Sequence, residues 1–267
     1  IPDKELIKKY QRIILQEPSN LNAHFNLGIL YYKNMHFDEA LREFNKVLEI
    51  NPNDSEAYYN LGNIFNKKSL FDDAVASYKK ALAIHPQDAE VFHNLGNTYA
   101  NKGMIDDAIS AYRKAVEINP NLAESHKSIA YLYKKKGQIS ESVSSFEKAT
   151  TFHPKDTNLL FDLASLYESN GLQDNAILTY KKLLFIDPAH KEAKNSLAML
   201  YNSKGVSLAL QGKTDDAIAA YKDALQNKEY FKEAYNNLGA AYVDKEMIDD
   251  AIAAYKKALE ISPNFGE

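Results

Sequence analysis

Residues 55–88 read SEAYYNLGNIFNKKSLFDDAVASYKKALAIHPQD, and residues 89–122 read AEVFHNLGNTYANKGMIDDAISAYRKAVEINPNL. Laid one over the other, they match Leu61-Gly62 with Leu95-Gly96, Asp72-Asp73-Ala74 with Asp106-Asp107-Ala108, Tyr78 with Tyr112, Ala81 with Ala115 and Pro86 with Pro120. The interval runs through the chain. Pro18, Pro52, Pro86, Pro120, Pro154 and Pro188 follow one another every 34 residues, and Pro263 stands 75 residues further on, two periods and seven extra residues. A fixed period in this range marks a stacked repeat.

Places within the repeat are counted from Leu21, Ser55, Ala89, Ala123, Thr157, Ala198 and Lys232. Place 8 holds Gly28, Gly62, Gly96, Ala130, Ala164, Gly205 and Gly239, and place 24 holds Phe44, Tyr78, Tyr112, Phe146, Tyr180, Tyr221 and Tyr255. Places 4, 7, 8 and 11 fall on one stripe of a first helix, and places 20, 24 and 27 on one stripe of a second. Small residues at the crossing let the two helices approach, and the aromatic ring fills the space beside them. Gly103, Gly137, Gly171 and Gly212 lie between the helices, where glycine suits a turn or a C-cap. Acidic pairs such as Asp72-Asp73 open the second helix at the positive end of its dipole. Proline ends it, and Asp54 and Asp88 are placed to cap the next.

The series Tyr58, Leu61-Gly62, Phe65, Ala74, Tyr78, Ala81, Pro86 resembles the tetratricopeptide repeat signature. The resemblance implies an all-α fold, a right-handed superhelical solenoid of helix-turn-helix repeats with a concave face lined by first helices. It divides the chain into a truncated half repeat over residues 1–20, five repeats over 21–190, a two-turn helical insertion over 191–197 and two repeats over 198–265. Seven residues are close to two helical turns, leaving the stripe about 20° out of phase. One helix is therefore expected from about His190 to Gln211, without loss of its core stripe. The sixth repeat is the weakest copy: Glu229 replaces proline, and Lys204 stands where leucine belongs.

Composition narrows the function. Apolar residues make up 45% of the 267 and charged residues 25%, the balance of a folded, soluble protein for which a cytoplasmic location is favoured. The formal charge of −4 and the lack of a basic stripe argue against nucleic acid, and no apolar run is long enough for membrane insertion. There is no cysteine, and the seven histidines form no i, i+4 pair or ligand cluster, so neither cofactor nor metal is expected. The chain reads as non-enzymatic. It opens on Ile1 rather than Met, which suggests a processed or trimmed chain.

The exposed places of the concave face are expected to be 2, 5, 6, 9, 12 and 13. Place 6 carries Asn26, Asn60, Asn94 and Asn237, and place 9 carries Asn63 and Asn97. Asparagine is a poor helix-interior residue, so its recurrence asks for a reason. One reason is that an amide offers a donor and an acceptor to the backbone of an extended peptide; the other is bonding within the helix stack. Tyr59, His93, Tyr131 and Phe161 lie beside the series, with Lys127. Chaperone-binding members of the family clamp a terminal carboxylate with Lys and Asn one turn apart, and no repeat here supplies that pair. The expected role is a scaffold or adaptor that holds a protein or peptide partner in the groove. Two alternatives stand beside it. One is self-association through the helical ends, where Ile252, Tyr255, Leu259 and Ile261 form an apolar edge and the chain closes on Phe265-Gly266-Glu267 without a capping helix. The other is the substrate-recognition region of a larger enzyme such as a glycosyltransferase.

Overall fold

The computed structural model describes residues 2–262; Pro263 and the Phe265-Gly266-Glu267 ending lie outside the described residues. Fifteen helices and no strand occur among the described residues. They are α1 (Pro2–Gln16), α2 (Leu21–Lys33), α3 (Phe37–Ile50), α4 (Ser55–Lys67), α5 (Phe71–Ile84), α6 (Ala89–Asn101), α7 (Ile105–Ile118), α8 (Ala123–Lys135), α9 (Ile139–Phe152), α10 (Thr157–Ser169), α11 (Gln173–Ile186), α12 (Lys191–Leu210), α13 (Thr214–Asn227), α14 (Lys232–Asp244) and α15 (Ile248–Ile261). The chain forms two compact units, residues 1–152 and 153–267. The first holds α1 to α9, the second α10 to α15.

Each boundary has a local cause. The Asp54 carboxylate accepts from Ala57 N–H at 2.8 Å, and Asp88 accepts from Glu90 and Val91 N–H, so the first orphan donors of α4 and α6 are satisfied. Asn20 and Asp156 do the same for α2 and α10. Between paired helices the chain reverses through one left-handed residue at place 15. Gly103, Gly137, Gly171 and Gly212 take it with φ of 73–77°, and Met35, Ser69 and Glu246 take it at φ of 59–61° despite their side chains. At Gly103 the turn is a Schellman motif: Met104 N–H reaches Tyr99 C=O at 2.9 Å and Gly103 N–H reaches Ala100 C=O at 3.0 Å.

The core follows the register of places 8 and 24. Phe44, Tyr78, Phe146 and Tyr180 are fully buried. A methyl carbon added at Gly62 would lie 2.5 Å from the Tyr78 ring, and one at Gly205 2.5 Å from Tyr221. The glycine is thus imposed by a ring packed flat against the backbone of the first helix. A charge pair repeats along with this core: Lys68 meets Asp38, Lys102 meets Asp72 and Lys136 meets Asp106 in the first unit, and Lys204 meets Asp174 at 2.8 Å and Lys245 meets Asp215 at 2.9 Å in the second. The aspartates that open the second helices therefore also hold the following repeat, although such exposed pairs stabilise little individually. Cations lie over rings in the same rhythm, Arg113 over Tyr133, Lys181 over Tyr201 and Lys222 over Tyr242, with centroid distances of 5.4–5.7 Å.

Helix α12 has 20 residues, with His190 Nδ1 accepting from Ala193 N–H at its start. It carries two registers. Counted from Lys191, Tyr201 is a place-11 residue under Lys181, and Lys204 is a place-14 residue paired with Asp174. Counted from Ala198, Gly205 is the place-8 residue against Tyr221, and Asn202 is a place-5 residue bonded to Asn237. The helix meets the preceding repeat in the first count and the following pair in the second. Lys204 is thus no degenerate leucine; it belongs to the upstream count.

Candidate functional site

In the first unit, α2, α4, α6 and α8 supply the first-helix face. At its centre is a run of amides and hydroxyls. Asn94 Nδ2 donates to the Tyr59 hydroxyl at 2.9 Å and to Asn63 Oδ1 at 3.2 Å. The Tyr78 hydroxyl donates to the same Asn63 oxygen at 2.7 Å, and the Tyr112 hydroxyl donates to Asn97 Oδ1 at 2.6 Å. Asn97 Nδ2 lies 3.4 Å from Asn94 Oδ1 within α6, joining the Tyr112–Asn97 pair to the bonds by which Asn94 reaches the preceding repeat. His93 Nδ1 lies 2.8 Å from Ser125 Oγ. Burial pushes the Tyr78 and Tyr112 hydroxyls above the usual phenol range, so both stay protonated donors. Burial holds His93 below the usual imidazole range, opposed by Glu124 and Glu90.

The asparagines are therefore not equivalent. Asn63, Asn94 and Asn97 are half-buried and networked. Asn26 is exposed, and its amide donates to the Asn22 carbonyl of its own helix at 2.7 Å. Asn60 is only 9% exposed and donates to Glu56 C=O at 2.8 Å, so it faces the helix stack and not open solvent. In the second unit, Asn237 Nδ2 donates to Asn202 Oδ1 at 3.0 Å. Sequence reasoning left two roles open for the amides, a peptide backbone or the helix stack; the oxygens of Asn63 and Asn97 bond within the stack, to tyrosine hydroxyls.

The aromatic residues are tied to the core as well. The rings of Tyr59 and His93 lie 6.2 and 5.4 Å from those of Tyr78 and Tyr112, and Tyr131 stands edge-on to Phe146 at 5.1 Å. Phe161, in the second unit, lies between Tyr180 and His190 at 5.8 and 5.2 Å. Tyr131 is exposed, and Lys127 is half-buried at the place where Tyr59 and His93 sit in the repeats before it. Sequence reasoning missed the tyrosine–asparagine coupling. The signal in the sequence is partial: asparagine stands at place 9 beside Tyr78 and Tyr112 and is missing beside Phe44 and Phe146, but Tyr221 and Tyr255 occur with Val206 and Ala240 at that place. Among the described residues no group of three or more His, Asp or Glu is gathered as a metal ion would require, and no helix is long and apolar enough to cross a membrane.

The tetratricopeptide repeat profile matches residues 7–55, 25–89, 128–191, 89–122 and 233–265. The chain belongs to the tetratricopeptide repeat family, whose solenoids are typical protein–protein interaction scaffolds that take protein or peptide partners. No curated protein sequence matches it. Among solved structures it is similar to YrrB, described as a tetratricopeptide protein with an unusual peptide-binding site: 22% identity over 69% of this chain and 95% of that one, TM-score 0.57. It is also similar to the C-terminal part of a repeat protein from Cytophaga hutchinsonii, with 19% identity over 91% and 96% of the two chains and a TM-score of 0.59. PilF of Pseudomonas aeruginosa matches at 17% identity over 80% and 94%, with a TM-score of 0.56. At these identities the likeness is one of fold.

Proposed function

We propose that the protein is a non-catalytic scaffold or adaptor that holds an extended peptide or partner segment against its first-helix face, centred on α4 and α6. The observation that carries this reading is the half-buried amide–hydroxyl run of Tyr59, Asn63, Asn94 and Asn97, a polar strip along the first helices α4 and α6. The use of YrrB for a peptide is in keeping with it. A handful of such bonds, each worth about 0.5–1.5 kcal/mol net, gives a weak to micromolar interaction unless side-chain pockets add to it. The test is affinity capture from a lysate of the source cells, comparing the parent with an Asn63→Ala/Asn94→Ala/Asn97→Ala variant of unchanged helical content. Partners retained by the parent and lost by the variant support the reading; an identical set from both removes the function from this face.

A second reading rests on a separate observation. Ile109 and Ile218, at place 21, are 6% and 8% exposed, but their counterpart Ile252 on α15 is 47% exposed and Leu259 on the same helix 48%. This apolar stripe suits self-association. Light scattering across a dilution series distinguishes the two readings: mass that rises with concentration, and ceases to rise in an Ile252→Lys/Leu259→Lys variant, favours assembly.

A further inference from the structure

Asn63 and Asn97 share an arrangement that follows from chemistry and not from the repeat as such. In each, the amide oxygen points into the helix pair and accepts a short bond from a tyrosine hydroxyl fifteen residues later, Tyr78 at 2.7 Å and Tyr112 at 2.6 Å. Asn63 Oδ1 takes a second bond from Asn94. A hydroxyl that donates to an amide oxygen fixes which way round the amide sits. The –NH2 group is left on the other side. The Asn63 –NH2 has no partner inside the protein, although the residue is half-buried, and the Asn97 –NH2 has only the long 3.4 Å contact with Asn94. The Asn63 nitrogen is not among the buried, unsatisfied polar atoms, so it is open to solvent, and the Asn97 nitrogen is held by that long contact alone. Asn63 and Asn97 therefore keep their acceptors engaged inside, whereas Asn94 between them is turned the other way, its –NH2 donating to Tyr59 and Asn63.

We propose that Tyr78 and Tyr112 are positioning residues that lock Asn63 and Asn97 with their N–H groups outward, so that the face recognises an extended peptide through its carbonyl oxygens. The inference rests on the peptide-binding reading above and deepens it. Tyrosine at place 24 does not require the amide, since Tyr221 and Tyr255 occur with Val206 and Ala240 at place 9. Where place 24 has lost its hydroxyl, at Phe44 and Phe146, no amide stands at place 9 to be oriented. Phenylalanine at those two places also shows that the ring alone satisfies the core.

The test uses the full chain and a display library of end-capped random twelve-residue peptides, selected on the parent protein. The tightest selected peptide is then the probe. Asn63→Ala and Asn97→Ala should each weaken it about tenfold, the upper range for one neutral hydrogen bond. Tyr78→Phe and Tyr112→Phe should each weaken it severalfold with little change in thermal midpoint. The double variant Tyr112→Phe/Asn97→Ala should bind as Asn97→Ala does, because the hydroxyl acts only through the amide. Asn97→Asp keeps an oxygen for Tyr112 and removes the outward donors, so it should lose as much as Asn97→Ala. Tyr→Phe variants that bind like the parent while the Ala variants fail, losses that add in the double variant, or an Asn97→Asp variant that still binds would each overturn the positioning role and leave the peptide reading standing. Asparagine-to-alanine variants that bind unchanged, or a library that yields no peptide, would overturn both.

Discussion

At Gly62 the whole fold is compressed into one missing atom. The Tyr78 ring occupies the space of a β-carbon, so Gly62→Ala must shift either the ring or the helix. Overpacking of this kind costs about 1–3 kcal/mol, and the thermal midpoint should fall accordingly. Place 15 tests the backbone alone. No atom lies within 4 Å of a methyl built on Gly137, so Gly137→Ala reports only its left-handed φ, a cost of about 1–2 kcal/mol. Ser69 already bears that strain, and Ser69→Gly should stabilise by about 0.5–1 kcal/mol once the extra freedom of unfolded glycine is subtracted. Denaturant titration of the pair checks both signs. Acidity acts on the same unit. His93 and His126 are both held below the ordinary imidazole range, chiefly by burial, so the unfolded chain takes up protons first. Their contribution is complete above the unfolded value near 6.5 and is lost as pH falls toward the folded one. Protection factors for hydrogen exchange within residues 1–152, taken relative to the intrinsic rate at each pH, should fall below about pH 6.5, and less so in a His93→Gln/His126→Gln variant.

At the scale of the element, the sequence was legible wherever a residue has one task. Gly62 with Tyr78, Asp54 at its cap and Gly103 in its turn follow from the 34-residue register, because each answers to a neighbour inside one repeat. Lys204 was not legible, because α12 has two registers and a lysine wrong for one is right for the other. The lysine–aspartate pairs escaped for a related reason. A helix start already accounts for Asp72, and its second partner, Lys102, lies in the next repeat. The site was the least legible part: which atom of Asn63 faces out depends on a hydroxyl on another helix, and no spacing of asparagines records that. Deletions within α12 separate the two registers. Removing seven residues turns the downstream stripe by about 20° and should preserve the fold, minus Lys204 to Asp174. Removing five turns it by about 140° and should unfold α13 to α15, seen as lost helical ellipticity.

Within each unit of the molecule, contacts join neighbouring elements almost exclusively, so the stability of each is a sum of local terms and nearest-neighbour interfaces. Within such a unit, a short first helix packed on both sides is a place where melting can halt, since its two interfaces can be given up one after the other. Helix α12 does not allow that choice. One unbroken stretch of backbone hydrogen bonds serves both its upstream and downstream contacts, and breaking it in the middle creates two frayed ends and a second nucleation penalty. Repeats five and six should therefore open as a single cooperative block, visible in hydrogen exchange as one shared opening energy from α11 to α13, while α2 to α9 lose protection in steps.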